Sequence, residues 1–546
     1  MAQGLEQEGA CQVASVREAT FELLRAHGMT TIFGNPGSTE LPMLSRFPTD
    51  FSYVLGLQEL VVVGMADGYA QATGHPTLVN LHTAPGVGNA VGGIVNAQAN
   101  KSPLVITAGQ QVRPHILMEA TLTNRDPVAL AHPYAKWSHE PARAEDVPGA
   151  MARAIHHATL PPRGPVFVSI PMDDWDVEAD QDRSTHAARR VVNGRVAADP
   201  AALEQLAATL EEARSPVLVA GPDIDTSGGW DAAVALTEKQ RLPVWAPPAT
   251  GGGNRIGFPE NHPSFAGILP AAIGPLADAL AGHDLVLVVG SSVFAYYPYV
   301  PGPLLPEGAA LVAITSDPDE AARAPMGDAI VGDVALALER LVELVGESQR
   351  EAPRPRADPG EPPSADPVSG SQVLAALAEV WPDDGIVVAE TPSSTFALRN
   401  RLRLSRPGSY YLTASGGLGF GISAAVGVQL AQPTRPVVCV LGEGSAQFGI
   451  TALWTAAAYK VPVTFLVLDN SEYMILKSFA ALGGWTDIPG LDLPGLDVVA
   501  VANGYGVTSR AVTGREEIRH ALGEAISADD GPRLVRVSIA SGMWQE

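Results

Sequence analysis

The strongest constraint on this chain lies in its last third. Apolar residues 436–441 run into Gly442-Glu443-Gly444-Ser445, and apolar residues 461–468 run into Asp469-Asn470. The residues between them, 446–459, read as one helix. Strand, turn, helix and strand in that order describe two neighbouring parallel strands joined by a crossover. Both polar turns then sit at the carboxyl ends of strands about 4.8 Å apart, so an acid on one and an amide on the other reach a single point. Glycines on both sides of Glu443 let the backbone approach a phosphate, and a helix begins there with free N–H groups. A carboxylate, an amide oxygen and a diphosphate make a hard-oxygen site suited to Mg²⁺. The unit predicts a metal-anchored diphosphate cofactor around Gly442, Glu443, Gly444, Ser445 and Asn470. The acid is Glu, where the shorter Asp would do the same work.

The same alternation runs through the rest of the chain. A helix over residues 16–27 precedes short strands at 31–33, 53–57, 77–81 and 104–108, with a helix through 64–70 and a Gly-rich turn and helix after His82. Further strands are expected at 217–220, 244–246, 285–289 and 311–315, and at 386–389, 437–441, 464–468 and 534–537, with a helix at 422–430. Residues 347–369, rich in proline, charge and small side chains, read as an exposed linker, and the polar stretch 181–193 reads as a second boundary. The expectation is an α/β protein of three doubly wound parallel-sheet domains: 12–190, 194–346 and 370–546, with the linker before the last.

Composition narrows the partner. A formal charge of −24 disfavours nucleic acid and membrane surfaces and favours a small molecule. The first residues, with Glu6 and Glu8, lack the apolar core of a signal peptide. The weakly polar stretch 416–431 is Gly-rich and too short to span a membrane. A cytoplasmic enzyme is expected. Of the two cysteines, Cys11 and Cys439, the second sits inside an apolar strand and reads as a buried packing residue. No Cys or His cluster suggests zinc.

In doubly wound sheets, ligands bind beyond the carboxyl ends of the strands. That rule selects Asn35, Ser38, Glu59 and His82 in the first domain, and Glu390, Glu443, Ser445 and Asn470 in the third. Glu59 reads either as a helix N-terminal carboxylate favoured by the macrodipole, or as a buried carboxyl holding a proton against a heterocycle nitrogen. His82 reads either as a hydrogen-bonded structural histidine or as a catalyst at the same sheet edge. Gly86-Val87-Gly88-Asn89-Ala90-Val91-Gly92 imitates a dinucleotide fingerprint, but its last glycine is displaced and no acid follows a second strand, so NAD is excluded. These glycines are expected to let a helix pack on the sheet. Residues 412–420 form a Gly-rich approach to a helix with Leu418 at its middle, either a plain turn or an apolar prop beneath a cofactor.

Several long blocks then coincide with one family: Phe33-Gly34-Asn35-Pro36-Gly37-Ser38, residues 64–72, 107–111, 173–176, 320–329, 408–411 and 452–457. The chain resembles the thiamine diphosphate-dependent 2-oxo acid decarboxylases and carboligases, most closely the benzoylformate decarboxylases, over nearly its whole length. The resemblance implies a pyrimidine-binding first domain, a diphosphate-binding third domain, and a central domain of the type that binds FAD in some members. No motif of this chain points to FAD. It implies that Glu59 hydrogen-bonds the pyrimidine nitrogen, that Leu418, beside Gly417, bends the cofactor, and that Asn35, Pro36, Gly37, Glu390, Tyr473 and Ile475 line the cofactor site. Ser38 would contact the substrate carboxylate and His82 would transfer protons. Glu443, Asn470 and the main chain of Glu472 would hold Mg²⁺. Active sites shared between subunits imply a homodimer at minimum and a homotetramer as the expected state.

The chain departs from that pattern in three places. Glu443 stands where the family has Asp, and one extra methylene moves the carboxylate by about 1.5 Å, against Mg²⁺ distances of about 2.0–2.1 Å. Either the loop shifts, or a Ca²⁺-like ion is bound, or affinity falls. Tyr297 stands where the decarboxylases carry a second catalytic histidine, and a phenol, with an ordinary pKa of about 10, is a poorer proton shuttle near neutrality. Near Met474, Ile475, Leu476 and Phe479, Lys477 and Ser478 replace family residues, which leaves the acyl group open. The leading expectation is decarboxylation of an aromatic or branched 2-oxo acid to an aldehyde. A carboligase or lyase acting on a 2-hydroxy ketone or 2-hydroxyacyl-CoA bond, and a non-catalytic paralogue, are the alternatives.

Overall fold

Three parallel six-stranded sheets with flanking helices carry the fold in the computed structural model, which describes residues 14–249 and 253–544. Glu6, Glu8 and Cys11 lie outside the described residues. The first sheet runs, edge to edge, Ser52–Leu55, Thr31–Gly34, Thr77–Leu81, Leu104–Gln110, Val166–Pro171 and Ser138–His139. The second runs Asp328–Val331, Ala310–Thr315, Leu285–Val289, Pro216–Ala220, Val244–Ala246 and Phe265–Ile268. The third runs Tyr410–Tyr411, Ile386–Glu390, Val437–Gly442, Val463–Asp469, Arg533–Ser538 and Thr508–Val512.

Central strands such as Leu104–Gln110, Leu285–Val289 and Val463–Asp469 are buried along their whole length. That is why they read as continuous apolar runs, since helices cover both faces of a parallel sheet. In the first sheet the earliest strand, Thr31–Gly34, has neighbours on both sides, and chain connections diverge there. The third sheet repeats this at Ile386–Glu390. Such switch points open crevices at strand carboxyl ends.

By its contacts the chain divides into two units. One comprises the residues up to Val63, His75–Ile94 and Ser102–Asn193, and holds the first sheet. The other comprises Gly64–Gly74, Val95–Lys101 and the chain from Gly194 onward, and holds the second and third sheets. Among the described residues, no helix is long and apolar enough to cross a membrane.

Two local expectations are corrected, and the polar stretch expected as a second boundary carries a helix of its own. The helix expected over residues 446–459 is broken into Glu443–Phe448 and Ala452–Ala458. A Cβ on Gly449 would lie 2.5 Å from Ile422 Cγ2 and 2.8 Å from the Gly419 carbonyl oxygen, so the chain turns where the helix Phe420–Ala431 presses on it. The glycines at 86–92 form no turn and lie within the helix Thr83–Ala99. Gly86 and Gly92 face side chains of the preceding helix, not the sheet, a Cβ meeting Glu59 Oε1 at 3.4 Å and Leu60 Cδ1 at 3.2 Å, and the next residue, Gly93, would meet Val63 Cβ at 2.9 Å. The polar stretch after residue 180 is a helix, Gln181–Arg189, capped by the Asp180 side chain, and Ala187 and Ala188 pack on the core that holds Val16, Leu23 and Met151. The linker 347–369 is free of helix and strand, but Arg350 pins its start by donating to the carbonyls of Ala213 and Gln240.

Candidate active site

In the first unit, the turn Asn35-Pro36-Gly37-Ser38 follows Thr31–Gly34, and His82 follows Thr77–Leu81 on the adjacent strand. Gln58 caps the next helix by accepting from Val61 N at 3.1 Å, so the helix opens with Glu59 in its first turn. Glu59 is buried. Asn35 Nδ2 donates to its Oε1 at 3.2 Å and Asn89 Nδ2 donates to its Oε2 at 3.1 Å. Gly86 leaves room beside it, a Cβ there falling 3.4 Å from Glu59 Oε1.

The imidazole of His82 sits over Gly37, where any Cβ would lie 2.2 Å from Nδ1. Nδ1 is 2.9 Å from Glu40 Oε2 and 3.1 Å from Thr39 Oγ1. The Thr39 hydroxyl gives its proton to Glu40 Oε1 at 2.8 Å, so both neighbours of Nδ1 are acceptors. This network puts the ring proton on Nδ1 and leaves Nε2 as a bare acceptor. Glu40, only 2% exposed, is further fixed by the N–H groups of Gly37 and Gly109, each at 2.8 Å. Thr83, next in the chain, has φ 43° and a buried hydroxyl without a partner. A β-branched residue in that region is strained and has to be held. Ser38 is exposed beside this group.

In the second unit, Gly442 ends its strand and caps the helix Glu443–Phe448. Glu443 is buried, and burial, with the nearby Asp469 charge adding to it, raises its carboxyl pKa to about 7. Glu472 N donates to Glu443 Oε1 at 3.0 Å and to Asn470 Oδ1 at 3.3 Å, so the two oxygens converge on one atom. Ser471 between them has φ 58°, with its N–H donating to Asp469 Oδ1 at 3.0 Å. Gly444 is required by close packing, since a Cβ would lie 2.7 Å from Tyr473 Cε1. Ser445 is buried in the same turn, and Ile475 lies in the first turn of the helix Met474–Gly483, its carbonyl accepting from Ser478 Oγ at 2.7 Å. The Glu443 carboxylate and the Asn470 amide oxygen, brought close together on the Glu472 N–H beside a glycine-flanked helix start, are hard oxygen donors of the chemistry a divalent cation and a diphosphate would need.

Glu390 is fully enclosed. Its Oε1 accepts from Gly419 N at 2.8 Å and its Oε2 accepts from Gly421 N, and burial raises its pKa to about 7. Its carboxyl thus shapes the turn that presents Gly417 and half-buried Leu418. Asn96 holds the other side of that turn. Nδ2 donates to the Gly417 carbonyl at 3.1 Å, and Oδ1 accepts from the hydroxyls of Thr413 and Ser415. One helical turn on, Asn100 Oδ1 accepts from Ala414 N at 2.9 Å. Tyr297 is exposed, its ring edge-on to Phe479 at 5.1 Å. Lys477 bridges Glu472 and Asp492 at 2.5 and 2.6 Å.

The residues missed from sequence are Glu40, Asn89, Asn96 and Asn100. Asn96 and Asn100 carry a usable signal, two amides at i and i+4 on one helical face. Glu40 carries none, because a carboxylate two residues past Ser38 looks like a solvated turn.

Residues 14–130 match the N-terminal TPP binding domain of thiamine pyrophosphate enzymes, 203–341 their central domain, and 392–537 their C-terminal TPP binding domain. Over 526 residues the chain is 51% identical to benzoylformate decarboxylase of Pseudomonas aeruginosa, covering 96% of this chain and 98% of that protein. A thiamine diphosphate-dependent 4-hydroxybenzoylformate decarboxylase of Rhodococcus jostii RHA1 superposes with TM-score 0.94 at 48% identity, covering 98% of this chain and 100% of that one. Benzoylformate decarboxylase of Polynucleobacter necessarius superposes with TM-score 0.93 at 40% identity, covering 97% and 99%.

Proposed function

The chain belongs to the thiamine pyrophosphate enzymes, and within that family we propose that it decarboxylates a benzoylformate-like 2-oxo acid to an aldehyde and CO₂. The observation that carries this reading is 51% identity over nearly the full length of a benzoylformate decarboxylase. Thiamine diphosphate, when bound, supplies the electron sink that lets the carboxyl group leave. Everything else falls to the protein. Glu59, held by two amides, offers its carboxyl to a ring nitrogen of the pyrimidine, and Asn35, Pro36 and Gly37 line that end. Leu418 and Gly417, fixed by Glu390 and Asn96, present an apolar prop. The Gly442, Gly444 and Ser445 turn takes the diphosphate, with Tyr473 and Ile475 beside it.

Glu443, Asn470 and the Glu472 main-chain carbonyl would hold the divalent ion, Mg²⁺ first and Ca²⁺ as the alternative. The support is that Glu443 Oε1 and Asn470 Oδ1, two hard oxygens, are held close to each other by one backbone N–H. Ser38 receives the substrate carboxylate. His82 gives and takes protons through Nε2, because Glu40 and Thr39 occupy Nδ1. Tyr297 borders the acyl group beside Phe479. The assembly we infer is a homodimer at minimum and a homotetramer as the working form, following the family's habit of building each active site between subunits.

CO₂ release from benzoylformate, measured with thiamine diphosphate and Mg²⁺ present, is the test. Turnover to benzaldehyde supports the reading. Ligation of two aldehydes without CO₂ release would replace it with the carboligase reading. Saturable cofactor binding with neither activity would refute both.

A further inference from the structure

His82 is held from two directions by one closed ring of hydrogen bonds, and Asn124 closes it. From the side chain, His82 Nδ1 meets Glu40 Oε2 at 2.9 Å, and Glu40 Oε1 accepts from Gly109 N at 2.8 Å. The Gly109 carbonyl in turn accepts from Asn124 Nδ2 at 2.9 Å. Asn124 Oδ1 then accepts from Ala84 N at 2.8 Å, and Ala84 is two residues along the backbone from His82. Asn124 is 1% exposed, and its amide makes one more contact, with Ser169 Oγ at 3.3 Å. Its own main chain is clamped on both sides by Gln110, whose Oε1 accepts from Asn124 N at 2.8 Å and whose Nε2 donates to Asn124 O at 2.9 Å.

The ring encloses the strained residue. Thr83, with φ 43°, lies between His82 and Ala84, and its buried hydroxyl has no partner to hold that conformation. The start of the helix Thr83–Ala99 leaves the Ala84 N–H without a partner inside the helix, and Asn124 supplies one. Because the same amide also orients Gly109 against Glu40, a shift at Asn124 moves both the backbone that carries the imidazole and the carboxylate that fixes its tautomer.

We propose that Asn124 is a positioning residue for His82, acting on the backbone through Ala84 and on the ring through Gly109 and Glu40. The catalytic part of this inference rests on His82 being the proton-transfer group of the proposed decarboxylation.

The test uses the full-length chain, with Asn124→Ala and the near-isosteric Asn124→Asp. The aspartate keeps the acceptor for Ala84 N but sets an oxygen against the Gly109 carbonyl. In protein labelled with ¹⁵N-histidine, the His82 signals are identified by their loss in His82→Ala. The native ring shows a protonated Nδ1 and a bare Nε2, and both Asn124 variants gain the other tautomer. Turnover of benzoylformate falls about 10²-fold with KM little changed, the cost of misplacing a catalytic group. In a His82→Ala background, adding Asn124→Ala changes kcat less than about twofold, since residues that act through one another are not additive. Unaltered His82 nitrogen signals in the folded variants, or full multiplication of the two losses, would overturn the proposal. The nitrogen signals are read without turnover. An enzyme that releases no CO₂ from benzoylformate would therefore refute the decarboxylase reading while the signals still decide the role of Asn124. Asn124→Asp answers the same question if the alanine variant does not fold.

Discussion

Glu40 and His82 are joined by a hydrogen bond at 2.9 Å in which the carboxylate is buried and the imidazole is half-buried, so the acid serves the ring and not the solvent. Glu40 also accepts three other hydrogen bonds, from Gly37, Thr39 and Gly109, and cannot follow the ring if it moves. Glu40→Gln should therefore loosen the tautomer without unfolding the turn, and kcat should fall about 10–100-fold. Steady-state kinetics with benzoylformate would check this, and unchanged kcat would remove the assigned role.

Arg399 and Glu260 are each 1% exposed and joined by two hydrogen bonds, with the guanidinium also 4.9 Å from the Tyr410 ring. Burial pushes the Glu260 carboxyl up while Arg399 pulls it back. Glu260→Ala leaves a buried cation alone, which should cost about 3–5 kcal/mol. Guanidinium unfolding would measure the loss, and a cost under about 1 kcal/mol would show that water reaches the arginine.

Glu390 supplies a pH signature. Its folded pKa of about 7 lies above the ordinary 4.5, so the fold favours its protonated form. The stability from that preference is complete below about pH 4.5 and is lost as pH rises to about 7, by on the order of 3 kcal/mol. Glu390→Gln removes the titration. It also turns an amide donor toward one of the two backbone N–H groups, at a cost of about 1–3 kcal/mol. The stability of the native protein relative to the variant, measured without cofactor, should fall by on the order of 3 kcal/mol between pH 4.5 and 7, enough to cancel or reverse the native advantage. A constant difference would contradict the assignment.

Glu443 reaches the Glu472 N–H with its longer side chain, and an aspartate would stop about 1.5 Å short. Glu443→Asp should weaken Mg²⁺ binding about tenfold in calorimetry with thiamine diphosphate present. Tighter binding would show that the glutamate is a compromise.

The sequence made the central strands legible because burial on both faces writes them as apolar runs, as in residues 77–81 and 285–289. The edge strands Thr508–Val512 and Asp328–Val331 are largely exposed, and Ser138–His139 and Tyr410–Tyr411 are two residues long, so no periodicity marks them. Strand-end residues were legible for the same topological reason, which brought out Asn35, Glu59, His82, Glu443 and Asn470. The supporting residues were not, because Glu40, Asn89 and Asn124 reach the site through side-chain contacts across 30 to 42 residues of chain. The break at Gly449 depends on contacts with residues 26 to 30 positions earlier, which no local pattern encodes.

That break isolates the cofactor end mechanically. One continuous helix from Glu443 to Ala458 would be a rod of about 24 Å, and any tilt at its tip would lever the packed far end. Stopped at Phe448, the rod is about 9 Å, and the chain breaks at the packed Gly449. The six residues Glu443–Phe448 are thus a separate short element from the Ala452–Ala458 helix, and the longer carboxylate sits on the short one.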